Sequence, residues 1–275
     1  MDSDPVAVEV NVDAALLLQR LVGIDSYPPV LALLPNIFRI EDRDRVHEVV
    51  RSQLAEAGIV DDEGVHPQVA HWLQCLYRPD MELVARIMDT GADEVAGMLR
   101  MSMVRAGSDH VLAVRNDDHI IIQSVYQDQQ DLRVLVAALA EALGPCPAVE
   151  FEPVTARQED FADNPTGSVD QRKQLLLELG AVPHTAGVLS RAFEEVLRHA
   201  EIVVVEHHDG GSTQTEMCVN VFDTEFGRIV ATPSIGLDGQ RWTRLAPGDD
   251  STLHAGVVAL LEMLPGRSWF DTGRA

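Results

Sequence analysis

The chain has 275 residues, 44 acidic against 21 basic, for a formal net charge of −23, with 46% apolar and 24% charged residues. That charge opposes the phosphates of nucleic acids and the headgroups of anionic membranes, so neither is expected as a partner. The apolar and charged fractions are those of an ordinary globular protein, long enough to bury a substantial core as one unit or two.

Lys173 is the single lysine beside twenty arginines, a bias that fits GC-rich coding. Cys75, Cys146 and Cys218 lie far apart with no paired spacing, so no disulfide is expected. Residues 1–12 carry acids where a signal peptide needs a basic start. No window approaches the roughly 18 consecutive apolar residues of a membrane span. The expected location is the cytoplasm.

Along the chain, Val6, Val8, Val10 and Val12 alternate with polar or small residues and predict a strand, followed by a helix over 14–21 that Gly23 ends. Pro28 and Pro29 lead into an apolar run, 30–34, that reads as a strand or buried extended segment. Glu41, Asp42 and Asp44 suit the start of a helix over 43–57, and Pro67 opens a helix over 67–76. Four extended runs follow, at 81–89, 94–104, 110–115 and 119–126, with turns at Gly91, Gly107 and Asn116-Asp117-Asp118. A helix over 131–143 closes this half. The order then repeats: a strand near 149–154, a polar loop through Pro165, a helix from the capping box of Ser168 and Gln171 to Leu179, and a helix over 185–199. Extended runs at 200–208, 214–223, 228–234 and 240–245 precede a last helix over 251–264.

The fold class is therefore α+β, with two related halves, 1–147 and 148–275. Each half is an antiparallel β-meander flanked by helices, and the simplest assembly is a pseudo-two-fold pair of sheets forming one compact unit. A free edge on such a meander would also permit a homodimer.

The search for chemistry is largely negative. His66 and His71 are five apart, off a common helix face, and His207 and His208 point to opposite faces of a strand. Asp61, Asp62 and Glu63 lack the ligand spacing of a calcium loop. No glycine-rich phosphate loop and no Gly-x-Ser-x-Gly elbow occurs, and Cys218 sits mid-strand as a packing residue. No catalytic residue, metal or cofactor is expected, so binding of another protein is the leading reading and an uncharacterised hydrolase the weaker one. In the run 214–222, Met217, Val219 and Val221 face one way while Glu216, Cys218 and Asn220 face the other, which makes a half-polar sheet surface suited to docking.

Six segments carry a resemblance: SYPPVLAL from Ser26, AGIVDDEGVHPQVAHWL from Ala57, HVLAVRNDD from His110, EIVVVEHHDGG from Glu201, FDTEFGRIVATP from Phe222 and LEMLPGRSWF from Leu261. In their order and spacing the chain resembles the EspG proteins, chaperones associated with the ESX, or type VII, secretion systems of mycobacteria. Gly266 directly follows Pro265, where relatives often place a residue between them. The resemblance implies a cytosolic chaperone that caps the apolar helical tip of the PPE subunit in a PE-PPE heterodimer and keeps it soluble for export. A structural or regulatory component of the secretion system is the alternative. The family's contacts, from the central sheet and the C-terminal helical region, imply docking through Leu176, Leu179, Val182, Val188, Gln214, Glu216, Cys218, Asn220 and Phe222.

Overall fold

The computed structural model describes residues 5–35, 40–90, 95–126, 130–162 and 167–274. The expectations at Gly91, Glu94 and Pro165, and those for the side chains of Glu41, Asp42 and Asp44, lie outside the described residues.

The first half begins with strand β1 (Ala7–Asn11) and helix α1 (Val12–Val22). Asn11 caps α1 by accepting from the Ala14 amide, and Gly23 ends it in the left-handed conformation. Helices α2 (Ile40–Glu56) and α3 (Pro67–Tyr77) follow. The meander is β2 (Met81–Thr90), β3 (Val95–Ala106), β4 (Asp109–Asn116) and β5 (His119–Ser124), then helix α4 (Arg133–Leu143). The second half runs through β6 (Val154–Arg157), the short α5 (Gln158–Ala162), α6 (Val169–Glu178) and α7 (Pro183–Ala192). Then come β7 (Val196–His208), a short β8 (Gly211–Gln214), β9 (Val219–Thr224), β10 (Gly227–Ile235), β11 (Arg241–Pro247) and α8 (Asp250–Glu262).

The protein is thus an α+β fold, and its strands form one sheet in the order β1-β5-β4-β3-β2-β7-β9-β10-β11-β6, with β8 paired to β7. The expected pair of sheets is corrected to a single sheet because β2 and β7 join antiparallel, from Met81 opposite Glu206 to Asp89 opposite Arg198. Read inward from either edge, the order is the same: the strand that precedes the helices, then the meander from last strand to first.

Three clusters of core, on the two faces of the sheet, follow from the alternation of side chains. On one face Met81, Leu83 and Ala85 of β2 and Ala200, Ile202 and Val204 of β7 are buried with Leu135 and Leu139 of α4 and Leu253, Val257 and Leu260 of α8. On the opposite face α1 and α3 cover Val104, Val111, Ala113, Ile120 and Ile122 at the N-terminal end, with α2 packed on α1. There, α6 and α7 cover Ile229, Ala231 and Leu245 at the C-terminal end.

Four local expectations are revised. The run 30–34 is a single 3₁₀ turn, Pro29–Leu31, followed by Ala32 at φ 48°. The proline pair lacks the amides a ladder needs, and the carbonyls of Leu31 and Ala32 accept instead from Arg115, each at 2.6 Å. The strand expected near 149–154 begins only at Val154; before it Val149 donates to the Arg228 carbonyl and Glu152 to the Thr185 hydroxyl. The helix expected over 185–199 stops at Ala192, because 196–199 pair on β9 and 198–199 also on β2, and ladder bonds on both sides outweigh helical periodicity. The run 214–223 breaks at 215–218, since β8 and β9 both pair with β7, at 205–208 and 196–202, and the chain must step between them. Thr215 makes the step, its amide donating to the Val204 carbonyl at 3.0 Å.

Candidate docking face

On their side of the sheet the α-helices gather at the two ends, and at the middle, among the described residues, the Pro29–Leu31 turn packs against β2 and β3 and leaves a groove beside it. Strands β2 and β7 present Glu82, Val84 and Arg86 beside Val205, Val203 and Glu201 there, each directly opposite its partner. Arg100 of β3 extends this surface on one side, with Ser102 fully buried beneath it, and Asn220 of β9 extends it on the other, opposite Glu201. The result is an open groove of about 550 Å³ whose walls include Pro29, Val30, Met98, Ser212 and Gln214. A second hollow of about 270 Å³ shares Val84, Arg86, Val203 and Gln214 with it and adds Gln158, Glu201, Glu216, Met217 and Cys218. Through these shared residues the two hollows are continuous.

The floor mixes valines with fixed charges. Arg86 lies 4.0 Å from Glu201, and Glu216 accepts from Arg241 at 3.0 Å. Glu82 is 3% exposed, and its carboxylate accepts from Ser102 Oγ at 2.7 Å and from His207 Nε2 at 3.2 Å. The carboxylate thus stands between serine and histidine, so His207 does not activate Ser102 as a base would in a nucleophilic triad. Burial holds the Cys218 thiol above its ordinary pKa, and Asn220 Nδ2 donates to its sulfur at 3.3 Å. This is the environment of an inert thiol rather than a nucleophile. Valines with a rim of paired charges and amides resemble the mixed surface of a protein interface.

The residues expected to dock fall into three groups. Gln214, Glu216 and Cys218 line the hollows, and Asn220 borders them, its Oδ1 accepting from His199 Nε2 at 3.0 Å. Leu179 caps the end of α6 and Val182 the start of α7, so both stand at the tip of that hairpin, with Val182 39% exposed. The expectation is corrected for Leu176, which is buried in the core with Ala181, Ala186 and Leu189 and has no surface to offer. Val188 packs against the same core, and Phe222 is held between Phe193, edge-on at 5.3 Å, and the stacked His199 ring at 4.8 Å. These two support the face rather than form it.

Glu82, Val84, Arg86, Arg100 and Val203 carry no direct mark of the groove in the sequence, and His207 stands out there only as a candidate metal ligand. The one indirect sign is the unbroken apolar run Ile202 to Val205, as in a strand covered on both faces. That they share a groove depends on β2 meeting β7, more than a hundred residues away.

Among the described residues, no helix is long and apolar enough to cross a membrane. The EspG family profile matches residues 11–259. The ESX-1 secretion-associated protein EspG1 of Mycobacterium tuberculosis (strain ATCC 25618 / H37Rv) is 32% identical over 268 residues, 97% of this chain and 90% of that protein. The ESX-3 secretion-associated protein EspG3 of Mycolicibacterium smegmatis (strain ATCC 700084 / mc(2)155) is 29% identical over 97% of this chain and 90% of its own length. The M. tuberculosis type VII secretion system chaperone EspG5, solved in complex with a PE25-PPE41 dimer, superposes with a TM-score of 0.78 at 21% identity, over 97% of this chain and 100% of its own. A profile match over most of the chain, relatives of nearly equal length and a shared sheet-and-helix architecture agree, and the chain belongs to the EspG family.

Proposed function

We propose that this chain is a cytoplasmic chaperone of an ESX, or type VII, secretion pathway, which binds the apolar helical tip of a PPE protein within a PE-PPE heterodimer and keeps it soluble. The observation that carries this reading is the uncovered groove across β2 and β7, flanked by helices, on an EspG-family chain. The solved complex of EspG5 with PE25-PPE41 supports the class of partner. Capping an exposed apolar tip removes an aggregation site, and the −23 charge keeps the capped complex soluble. The protein acts by binding and not by catalysis. Gln214, Glu216, Cys218 and Asn220 face the partner from the sheet, and Leu179 and Val182 reach it from the α6–α7 hairpin. The halves 1–147 and 148–275, related by a pseudo-two-fold axis near the β2–β7 seam, work as one unit.

Co-expression with PE-PPE pairs, followed by size-exclusion chromatography, tests this. Co-elution with at least one pair is expected, and failure with every pair encoded near the gene overturns the reading.

A further inference from the structure

Away from the groove, α3 and the start of β4 bring together three side chains that the docking role does not use. His71 and Cys75 are four apart on α3 and so share one face of the helix. Asp109, the first residue of β4, meets them there. His71 Nε2 lies 2.9 Å from Asp109 Oδ2 and 3.6 Å from Cys75 Sγ, and the three potential ligand atoms all fall within 4.8 Å of one another. Tetrahedral zinc, with bonds of about 2.0 Å to nitrogen or oxygen and 2.3 Å to sulfur, separates its ligand atoms by roughly 3.3–3.6 Å. The sulfur-to-nitrogen edge already has that length, and the nitrogen-to-oxygen edge needs to open by about 0.4 Å when a metal replaces the shared proton. The His71 and Asp109 side chains are half exposed while Cys75 is 4% exposed, so an ion has an entry path from solvent and an inner thiolate to hold it.

We propose that His71, Cys75 and Asp109 form a site for a zinc-class divalent ion, with water as fourth ligand, that staples α3 to the β3–β4 hairpin. The sulfur and imidazole donors select zinc over calcium or magnesium, which require oxygen ligands. Binding releases the Cys75 thiol proton to solvent and leaves the His71 proton on Nδ1, so that Nε2 and Sγ each donate an electron pair to the metal. Burial first, and then the Asp109 charge, push the free thiol up to about 11.

The test uses the full chain stripped with a chelator and titrated with zinc against a chromogenic competitor, with cobalt(II) as a spectroscopic substitute. One equivalent of zinc and a sulfur-to-cobalt charge-transfer band are expected, both retained in a Cys146→Ser/Cys218→Ser double variant. Cys75→Ser should abolish the band. His71→Gln and Asp109→Asn, which alter exposed groups and spare the core, should each lose the zinc equivalent. Absence of a zinc equivalent in the native chain, or zinc binding unchanged by His71→Gln and Asp109→Asn, overturns the site. Neither result depends on the PE-PPE partner, so the proposed chaperone role stands or falls separately.

Discussion

Glu216 lines the second hollow and Asn220 borders it, yet the two are held differently, and this sets what their replacement can report. Glu216 is exposed and paired, among the described residues, with an exposed Arg241, a contact of little worth to stability. Glu216→Arg is expected to weaken PE-PPE co-elution while leaving the thermal midpoint nearly unchanged. Asn220 links His199 to Cys218, so Asn220→Arg should also cost about 1–2 kcal/mol of stability from the lost hydrogen bonds. Unchanged partner binding in both variants would move the docking face elsewhere. At the other end of the sheet, Trp269 Nε1 donates to His110 Nε2 at 3.0 Å, while His110 Nδ1 faces the Ser108 carbonyl at 3.2 Å. The ring is therefore neutral, and burial lowers its pKa. The unfolded chain binds the proton more readily, so the stability from this contact is full above about pH 6.5 and is lost as pH falls through the lower folded value. Thermal melts from pH 7.5 to pH 5 should show this loss in the native chain and a shallower one in His110→Phe.

Between elements, buried polar contacts fix what the apolar packing leaves loose. Arg228 on β10 grips Asp223 on β9 through two bonds, at 2.7 and 2.8 Å, and also donates to the Leu143 and Gly144 carbonyls at the end of α4. Arg198 on β7 donates to the same Leu143 carbonyl and to Asp89. Two guanidinium groups thus complement the negative end of α4 and tie the first half to the second. Asp223→Ala leaves Arg228 buried without its counter-charge and should cost about 3–5 kcal/mol in denaturant unfolding. The Pro265-Gly266 turn has a similar cause. Gly266 donates its amide to Glu206 at 2.9 Å, and a Cβ there would fall 2.1 Å from Thr272. The tail beyond it is held by Arg105, which donates to the carbonyls of Trp269 and Thr272.

For the whole molecule, the core between the sheet and α4 and α8 draws on both halves, setting Met81, Leu83 and Leu139 against Ala200, Val204 and Leu260. Separating 1–147 from 148–275 exposes that core and the facing edges of β2 and β7. The intact chain should melt in one cooperative transition, and the two fragments expressed alone should aggregate or lack a transition by circular dichroism. A stable, cooperatively melting fragment would count against the single unit.

The sequence by itself determined which elements form, because their signals are local: alternating valines at 6–12, the Ser168–Gln171 capping box and the turn residues at 107 and 209–211 act within a few residues. It also carried the EspG resemblance, since that rests on ordered segments. Tertiary structure decided where a local pattern yields to distant partners. Residues 196–199 become strand because β2 and β9 flank them, and 215–218 leave the ladder because β7 is shared by two strands. The groove was illegible for the same reason: Val84 faces Val203 only once two meanders, far apart in the chain, meet in one sheet.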